Sequence, residues 1–216
     1  MKQKQLVIVS IFFLLIAFVA GAMLYRSQKS DAALQAYQKD RATFVRQGSP
    51  SKGNPAAKVE IIEFLDPACE TCKEFYPFVK KLMADHPDKI HLYVRYAPFH
   101  PGSESVVKIL EAAHMQGKFF ETLEAVFAAQ SGWAPNHRPQ PNMVWNYIGS
   151  VGLDIKKLRE DIATPEMEKI IQQDIDAAHK LNVKATPEFF VNGKPLPSFG
   201  YDQLKTLVED AVSAAY

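Results

Sequence analysis

The stretch that decides the fold is Lys58–Ala84, which reads KVEIIEFLDPACETCKEFYPFVKKLMA. Residues 58–66 are rich in β-branched and aromatic residues, and both faces are apolar from Ile61 to Leu65, which predicts a strand in the middle of a sheet. Residues 69–84 follow helical spacing, with an apolar stripe on one face. Residues 90–99 read IHLYVRYAPF and predict a second strand. A strand, a helix and a strand in this order form a βαβ unit.

The next part of the chain has a helical pattern. Thr164-Pro165 combines an N-cap residue with a proline at the first helical position, a typical helix start. A loop carrying Trp133 and several prolines interrupts the helices at residues 130–141. The predicted helices span residues 103–115, 118–129, 143–150, 154–161 and 165–181.

The C-terminal part predicts two strands and a helix. The strand Glu188–Val191 leads into Asn192-Gly193, a strong signal for a tight hairpin turn. An edge strand at 195–199 and a helix at 201–214 follow. The predicted fold class is therefore α/β, with a helical domain inserted between the βαβ and ββα halves of a mixed sheet.

The composition and net charge are those of an ordinary globular protein. The chain has 216 residues, is 47% hydrophobic and carries a formal net charge of +1. This balance gives no indication of nucleic-acid binding, and no such partner is expected.

The N-terminus contains an uncharged apolar run at residues 6–24. Its length is close to the ~20 residues that cross a bilayer as a helix. The pattern predicts a transmembrane anchor at 5–25, a cytoplasmic tip at 1–4 and a polar spacer at 26–57. A cleaved signal peptide, with Ala20-Gly21-Ala22 as its processing site, is the alternative. We expect a single-pass protein of the bacterial inner membrane, with its catalytic domain in the periplasm or outside the cell.

Cys69 and Cys72 are the only two cysteines, and they stand at the start of the first predicted helix. This spacing brings both sulfurs close enough to bridge. The helix dipole at the N-terminus stabilises a thiolate on Cys69. Cys69 can then attack a disulfide, and Cys72 can resolve the mixed disulfide that forms.

Other uses of two closely spaced cysteines stay open. A structural zinc site needs about four ligands, so it would require distant histidines. Covalent haem attachment is excluded because Lys73, and not histidine, follows Cys72. A structural disulfide, a copper- or other metal-handling module and a non-catalytic scaffold are the remaining alternatives, although no methionine or histidine cluster lies near the pair.

Two further features fit redox chemistry. Glu63 lies in the predicted buried strand, where burial raises a carboxyl pKa, and it could relay the proton of Cys72. The alternative is an acid that reaches solvent at the strand end. Pro187 must end a loop before the strand that follows it. A cis bond would free the Thr186 backbone to pair with a substrate peptide, but only about 5–6% of X–Pro bonds are cis, so the residues alone predict trans.

These motifs together resemble the thioredoxin superfamily and, within it, the DsbA-like disulfide oxidoreductases. The resemblance covers about residues 48–215. It implies a thioredoxin-like domain formed by residues 58–101 and 183–216, with the helical domain at 102–182 inserted. The matching pieces read GNPA at 53–56, EFLDPACETC at 63–72 and VKATPEFFVNG at 183–193.

The resemblance also implies a role for each site residue. Cys69 is the nucleophile, Cys72 the resolving thiol and Glu63 the buried acid. Pro187 is the cis-proline, and Thr186 contacts the substrate peptide. The redox-active Cys69–Cys72 disulfide replaces any cofactor, and no metal is expected. The implied partners are exported proteins with thiols or disulfides, and a membrane redox partner that recycles the cysteine pair.

The dipeptide between the cysteines departs from the strongly oxidising members, which carry Pro-His where this chain has Glu70-Thr71. An anionic Glu70 disfavours the thiolate of Cys69, so we expect a less acidic thiol. A threonine before the cis-proline, as at Thr186, resembles the isomerase- and reductase-type members of the family. Oxidation, isomerisation and reduction therefore all stay open as the direction of exchange.

Overall fold

The computed structural model describes residues 2–216 and divides the chain into two units, Met1–Asp40 and Arg41–Tyr216. Helix α1 (Lys2–Lys39) occupies the first unit. This segment contains no proline, so every residue can take part in the backbone ladder of a long helix. The backbone alone is described for residues 2–4, 6, 7, 9, 10, 23, 26, 27, 29, 30 and 33.

The structure corrects the prediction for residues 5–25 and for the location of the protein. Across the described residues, no helix combines the length and the apolar character that crossing a membrane requires. The predicted transmembrane anchor therefore has no support. The predicted location as a single-pass inner-membrane protein, which depends on that anchor, is therefore wrong.

The second unit begins with a short helix and the βαβ unit. Its elements are α2 (Arg41–Phe44), β1 (Ser51–Gly53), β2 (Val59–Leu65), α3 (Glu70–Asp85) and β3 (Ile90–Tyr96). Strand β2 is buried at six of its seven positions, as expected for a central strand. Helix α3 buries one apolar stripe against the sheet, formed by Cys72, Phe75, Val79 and Leu82.

Six α-helices lie between β3 and the C-terminal strands, together with two 3-10 helices, Pro135–His137 and Gly149–Val151. Thr164 caps the last of them, since its side chain accepts the N–H of Met167. Part of the predicted loop at 130–141 is helical because Trp133 is fully buried and its indole donates to the carbonyl of Val126 (2.8 Å). The helices are α4 (Ser103–Met115), α5 (Phe119–Ala128), α6 (Gln130–Trp133), α7 (Pro141–Val144), α8 (Ile155–Asp161) and α9 (Pro165–Lys180).

The C-terminal elements are β4 (Glu188–Val191), β5 (Lys194–Pro195) and α10 (Tyr201–Ala215). Both residues of the Asn192-Gly193 turn have positive φ, as a tight hairpin requires. The edge strand predicted at 195–199 is limited to β5, because prolines in this stretch cannot donate to a ladder.

The five strands form one mixed sheet in the order β1-β3-β2-β4-β5. Strands β2 and β3 pair in parallel, and the other neighbours pair antiparallel. The predicted α/β fold with a mixed sheet is therefore confirmed. Strand β1 lies within the predicted spacer at 26–57, and sequence reasoning missed it because all three of its residues are exposed and carry no apolar pattern.

A buried network of charges joins the inserted helices to the sheet. Asp174 on α9 is fully buried and pairs with Arg46 (3.0 Å) and Arg95 (2.7 Å). Its second oxygen accepts the backbone N–H of Tyr96 (3.1 Å). Glu111 on α4 pairs with Arg46 (3.2 Å) and accepts the Tyr96 hydroxyl (2.8 Å). Three elements, α4, α9 and β3, are thereby fixed to one another.

Candidate active site

The Cys69 side chain lies where the central strand turns into helix α3. Strand β2 ends at Leu65, and Pro67 cannot continue the ladder. The N–H of Cys69 donates to the carbonyl of Asp66 (3.0 Å), which closes the turn. Cys69 is the N-cap residue, with an extended backbone (φ −75°, ψ 119°). Its sulfur is thereby placed at the unpaired amides of the first helical turn.

Cys69 is 6% exposed, and its Sγ lies 3.1 Å from the carbonyl oxygen of Thr186, to which it donates while the thiol is protonated. The Thr186–Pro187 peptide bond is cis, as the family resemblance predicts and contrary to the trans form expected from the residues alone. A hydrogen bond from Cys72 is the main cause that lowers the pKa of Cys69, while burial opposes it. Bonds from the Thr186 side chain and from the backbone of residues 71 and 72 bring this pKa to about 5.

Cys72 has the opposite character. Its side chain is fully buried, and burial followed by the hydrogen bond to Cys69 raises its pKa well above the ordinary value for a thiol. Both cysteines are free in this structure. Near neutral pH the site therefore holds one thiolate, on Cys69, and one thiol, on Cys72.

Glu63 is buried in the middle of strand β2, where its side chain is 2% exposed. It lies in register with Val94 on one side and Phe189 on the other. Burial raises the pKa of Glu63 to about 8, and the nearby charge of Cys69 contributes to the rise. The charge of Glu63 in turn helps to raise the pKa of Cys72. The alternative of an acid reaching solvent is wrong.

This geometry, with a CxxC pair at a helix start and a cis-proline against it, agrees with the comparison to known proteins. Residues 46–210 match the family model described as Thioredoxin. The chain belongs to this thioredoxin family.

Several individual relatives within this family are oxidoreductases. A solved thioredoxin-like oxidoreductase from Silicibacter pomeroyi DSS-3 is 29% identical, with a TM-score of 0.70 over 82% of this chain and 99% of that one. Disulfide bond formation protein D of Bacillus subtilis is 26% identical over 179 residues, which cover 76% of this chain and 77% of that protein. The resemblance to DsbA-like thiol–disulfide oxidoreductases, and the enzyme class, are confirmed.

Another group of relatives consists of longer proteins. The Na(+)/H(+) antiporter NhaA 3 of Salinispora tropica is 31% identical over 146 residues, which cover 66% of this chain and 21% of the antiporter. The chain thus spans about a fifth of the length of these curated relatives.

Glu70 is the first of the two residues between the cysteines of this thioredoxin-family CxxC motif, and its side chain faces solvent. Glu70 is exposed, and its carboxylate lies 3.8 Å from Nε2 of His137. Solvent screens such a pair, which makes its contribution small. Thr71 contributes a backbone hydrogen bond to Cys69. The hydrogen bonds that lower the pKa of Cys69 to about 5 come from Cys72, Thr186 and Thr71, and the predicted effect of the Glu70 charge stays a prediction.

Asp66 and His100 support the active-site turn through a contact with each other that the sequence did not predict. Asp66 is fully buried, and one of its oxygens accepts the N–H of Ala68 (2.8 Å). The other accepts the backbone N–H of His100 (2.9 Å) and lies 2.8 Å from its Nδ1. The ring of His100 stacks on His137 (centroids 5.3 Å apart). Asp66 thus joins the segment after β3 to the turn that holds the nucleophile.

Gln130 is a third residue that sequence reasoning missed. The sequence predicts a loop at this position, but Gln130 is buried at the start of α6. Its amide nitrogen donates to the carbonyls of Pro67 (2.9 Å) and Cys69 (3.0 Å). Gln130 directly follows the predicted helix at 118–129, and nothing in the neighbouring sequence indicates that its side chain binds the active-site turn.

The metal-handling alternative gains no support from this site. Within the part of the chain that the structure describes, no three His, Cys, Asp or Glu side chains are grouped as metal ligands.

Proposed function

We propose that the chain exchanges disulfides with other proteins through Cys69 and Cys72. One observation carries the proposal: Cys69, with a pKa of about 5, lies at a helix N-terminus beside a buried Cys72 of raised pKa and against the cis Thr186–Pro187 bond. A thiolate next to a protonated thiol is the pair that nucleophilic attack followed by resolution requires.

The exchange proceeds in two displacements. The Cys69 thiolate attacks one sulfur of a substrate disulfide, forming a mixed disulfide and releasing the other substrate sulfur as a thiolate. Cys72 then loses its proton and attacks the Cys69 sulfur. This step forms the Cys69–Cys72 disulfide and releases the second substrate thiolate, so two electrons pass to the substrate. In the reverse direction the same steps oxidise a substrate dithiol, and no cofactor is needed in either direction.

We assign the proton transfer to Glu63. Its pKa of about 8 makes the buried carboxyl able to gain and lose a proton near neutral pH. Electrostatic coupling to Cys72 supports the assignment, because Glu63 favours the protonated thiol while the carboxyl itself is ionised.

Thr186 and Pro187 are proposed as the substrate-binding residues, since the Thr186 carbonyl already contacts the Cys69 sulfur. Glu70 and Thr71 are proposed to modulate the thiolate, Glu70 through its charge and Thr71 through its amide. The domain division stays a proposal as well, with residues 58–101 and 183–216 forming the thioredoxin-like part and 102–182 the inserted helical part. Exported proteins as substrates, and a membrane redox partner for recycling, are proposed from the family resemblance.

The experiment is the reduction of insulin by dithiothreitol, followed by turbidity, with the wild-type chain and the Cys69→Ala variant. The proposal expects acceleration by the wild type alone. Equal rates with the two proteins would defeat it. Equilibration with glutathione then decides the direction, because a potential near that of thioredoxin (~−270 mV) favours reduction and a more oxidising value favours disulfide donation.

A further inference from the structure

The Gln130 side chain connects the inserted helices to the loop that carries the attacking sulfur. It is 2% exposed, and its amide nitrogen lies 2.9 Å from the carbonyl oxygen of Pro67 and 3.0 Å from that of Cys69. A glutamine amide has two N–H donors, so both donors of Gln130 are committed to this loop. The two bonds link positions more than 60 residues apart in sequence.

Gln130 is held firmly by its own surroundings. The N–H of Ala134 donates to the Gln130 carbonyl (2.7 Å), and the neighbouring Trp133 is fully buried with its indole bonded to Val126 (2.8 Å). The Gln130 amide is therefore a fixed donor, and it costs little further entropy to hold it against the loop.

Gln130 binds the carbonyls of Pro67 and Cys69, whose peptide groups lie on either side of the Ala68–Cys69 peptide bond. The Cys69 carbonyl also accepts the N–H of Lys73 (3.3 Å), the first hydrogen bond of helix α3. Together with the bond from the Cys69 N–H to the Asp66 carbonyl, these bonds hold the extended N-cap conformation of Cys69. In that conformation the sulfur receives hydrogen bonds from the backbone of Thr71 and Cys72.

We propose that Gln130 is a positioning residue for disulfide exchange, which holds the Pro67 and Cys69 carbonyls so that the Cys69 sulfur faces the amides of the first helical turn. The proposal rests on the proposed function, in which Cys69 is the attacking thiol. Gln130 itself does not touch the reacting atoms. It acts through the backbone, and it makes the reactivity of Cys69 depend on the placement of the inserted helices.

The test replaces Gln130 by methionine, which has a similar length but no N–H donor. Gln116→Met is the matched control, because the Gln116 amide also donates to a carbonyl of the inserted helices, that of Asp154 (3.1 Å). We expect the ultraviolet titration of the Cys69 thiolate in Gln130→Met to move upward by about one unit, a tenfold loss of thiolate stabilisation. At about pH 5 the thiolate fraction, and with it the alkylation rate, falls about fivefold. Gln116→Met should match the wild type in both measurements.

A purely structural role would lower resistance to urea and leave the titration of the folded protein unchanged. A Gln130→Met protein that titrates and alkylates like the wild type therefore overturns the proposal, whatever its stability. Gln130→Leu, a second variant without a donor, must give the same upward shift. The titration does not depend on turnover, so an inactive wild type in the insulin assay would defeat the proposed function and still leave the role of Gln130 to be decided by the shift.

Discussion

Replacing Cys72 by alanine removes the hydrogen bond that does most to lower the pKa of Cys69. The Cys72 side chain is fully buried beneath the reactive sulfur, so neither solvent nor a neighbouring residue readily takes its place as a donor. The backbone donors of the first helical turn remain, as does the Thr186 side chain. The thiolate should therefore be weakened but not lost.

The size of the effect follows from the strength of one charge-assisted bond. A hydrogen bond to a charged group contributes about 1.5–3 kcal/mol. One pKa unit corresponds to about 1.4 kcal/mol, so the pKa of Cys69 should rise by about 1–2 units. Starting from about 5 in the wild type, it should reach roughly 6–7 in Cys72→Ala.

The assay is the ultraviolet absorbance of the thiolate, followed from acidic to mildly alkaline pH. Cys72→Ser is the control, because its hydroxyl keeps a donor of similar size at the same position, and it should titrate close to the wild type. A Cys72→Ala protein with the wild-type midpoint would refute the reasoning. So would an equal upward shift in the alanine and serine variants, since that would assign the effect to the loss of sulfur and not to the hydrogen bond.

Two further predictions concern stability. The folded-state pKa of Glu63, about 8, lies above that of an unfolded carboxyl, so its ionisation opposes folding increasingly as the pH rises from about 4 to 8. In urea unfolding of the reduced protein, the free energy of unfolding of Glu63→Gln relative to the wild type should increase by on the order of 3–5 kcal/mol between about pH 4 and pH 8. A difference between the two proteins that does not change with pH would contradict this. Asp174→Asn removes the carboxylate that pairs with the buried Arg46 and Arg95, and it should lower the free energy of unfolding by about 3–5 kcal/mol. The exposed control Glu209→Gln should cost less than about 0.5 kcal/mol, and comparable losses in these two variants would count against the buried network.

The parts of the fold that the sequence predicted are those with a strong repeating pattern. Strand β2, helix α3 and strand β4 each have an apolar period or an apolar run that leaves little choice of structure. Strand β1 has none, since its three residues are exposed, and only its pairing with β3 makes it a strand. The N-terminal segment shows the converse, because an apolar run alone predicted a membrane anchor that the structure does not support.

The same distinction applies to the site. The spacing of the cysteines and the position of Glu63 in an apolar strand could be interpreted from neighbouring residues. The contacts of Gln130 and His100 could not, because they join positions far apart in sequence through single polar side chains. Local propensity contains no information about such contacts, which exist only once the inserted helices have packed against the sheet.

The most direct measurement of the central claim is competitive alkylation of the reduced protein by iodoacetamide near pH 6, with the labelled cysteine identified by peptide mass spectrometry. Cys69 is ionised at this pH and is 6% exposed, whereas Cys72 is a thiol of raised pKa with no exposed surface. The account predicts rapid modification of Cys69 with Cys72 left almost unmodified. Label on Cys72, or equal label on both cysteines, would contradict the assignment of Cys69 as the attacking thiol.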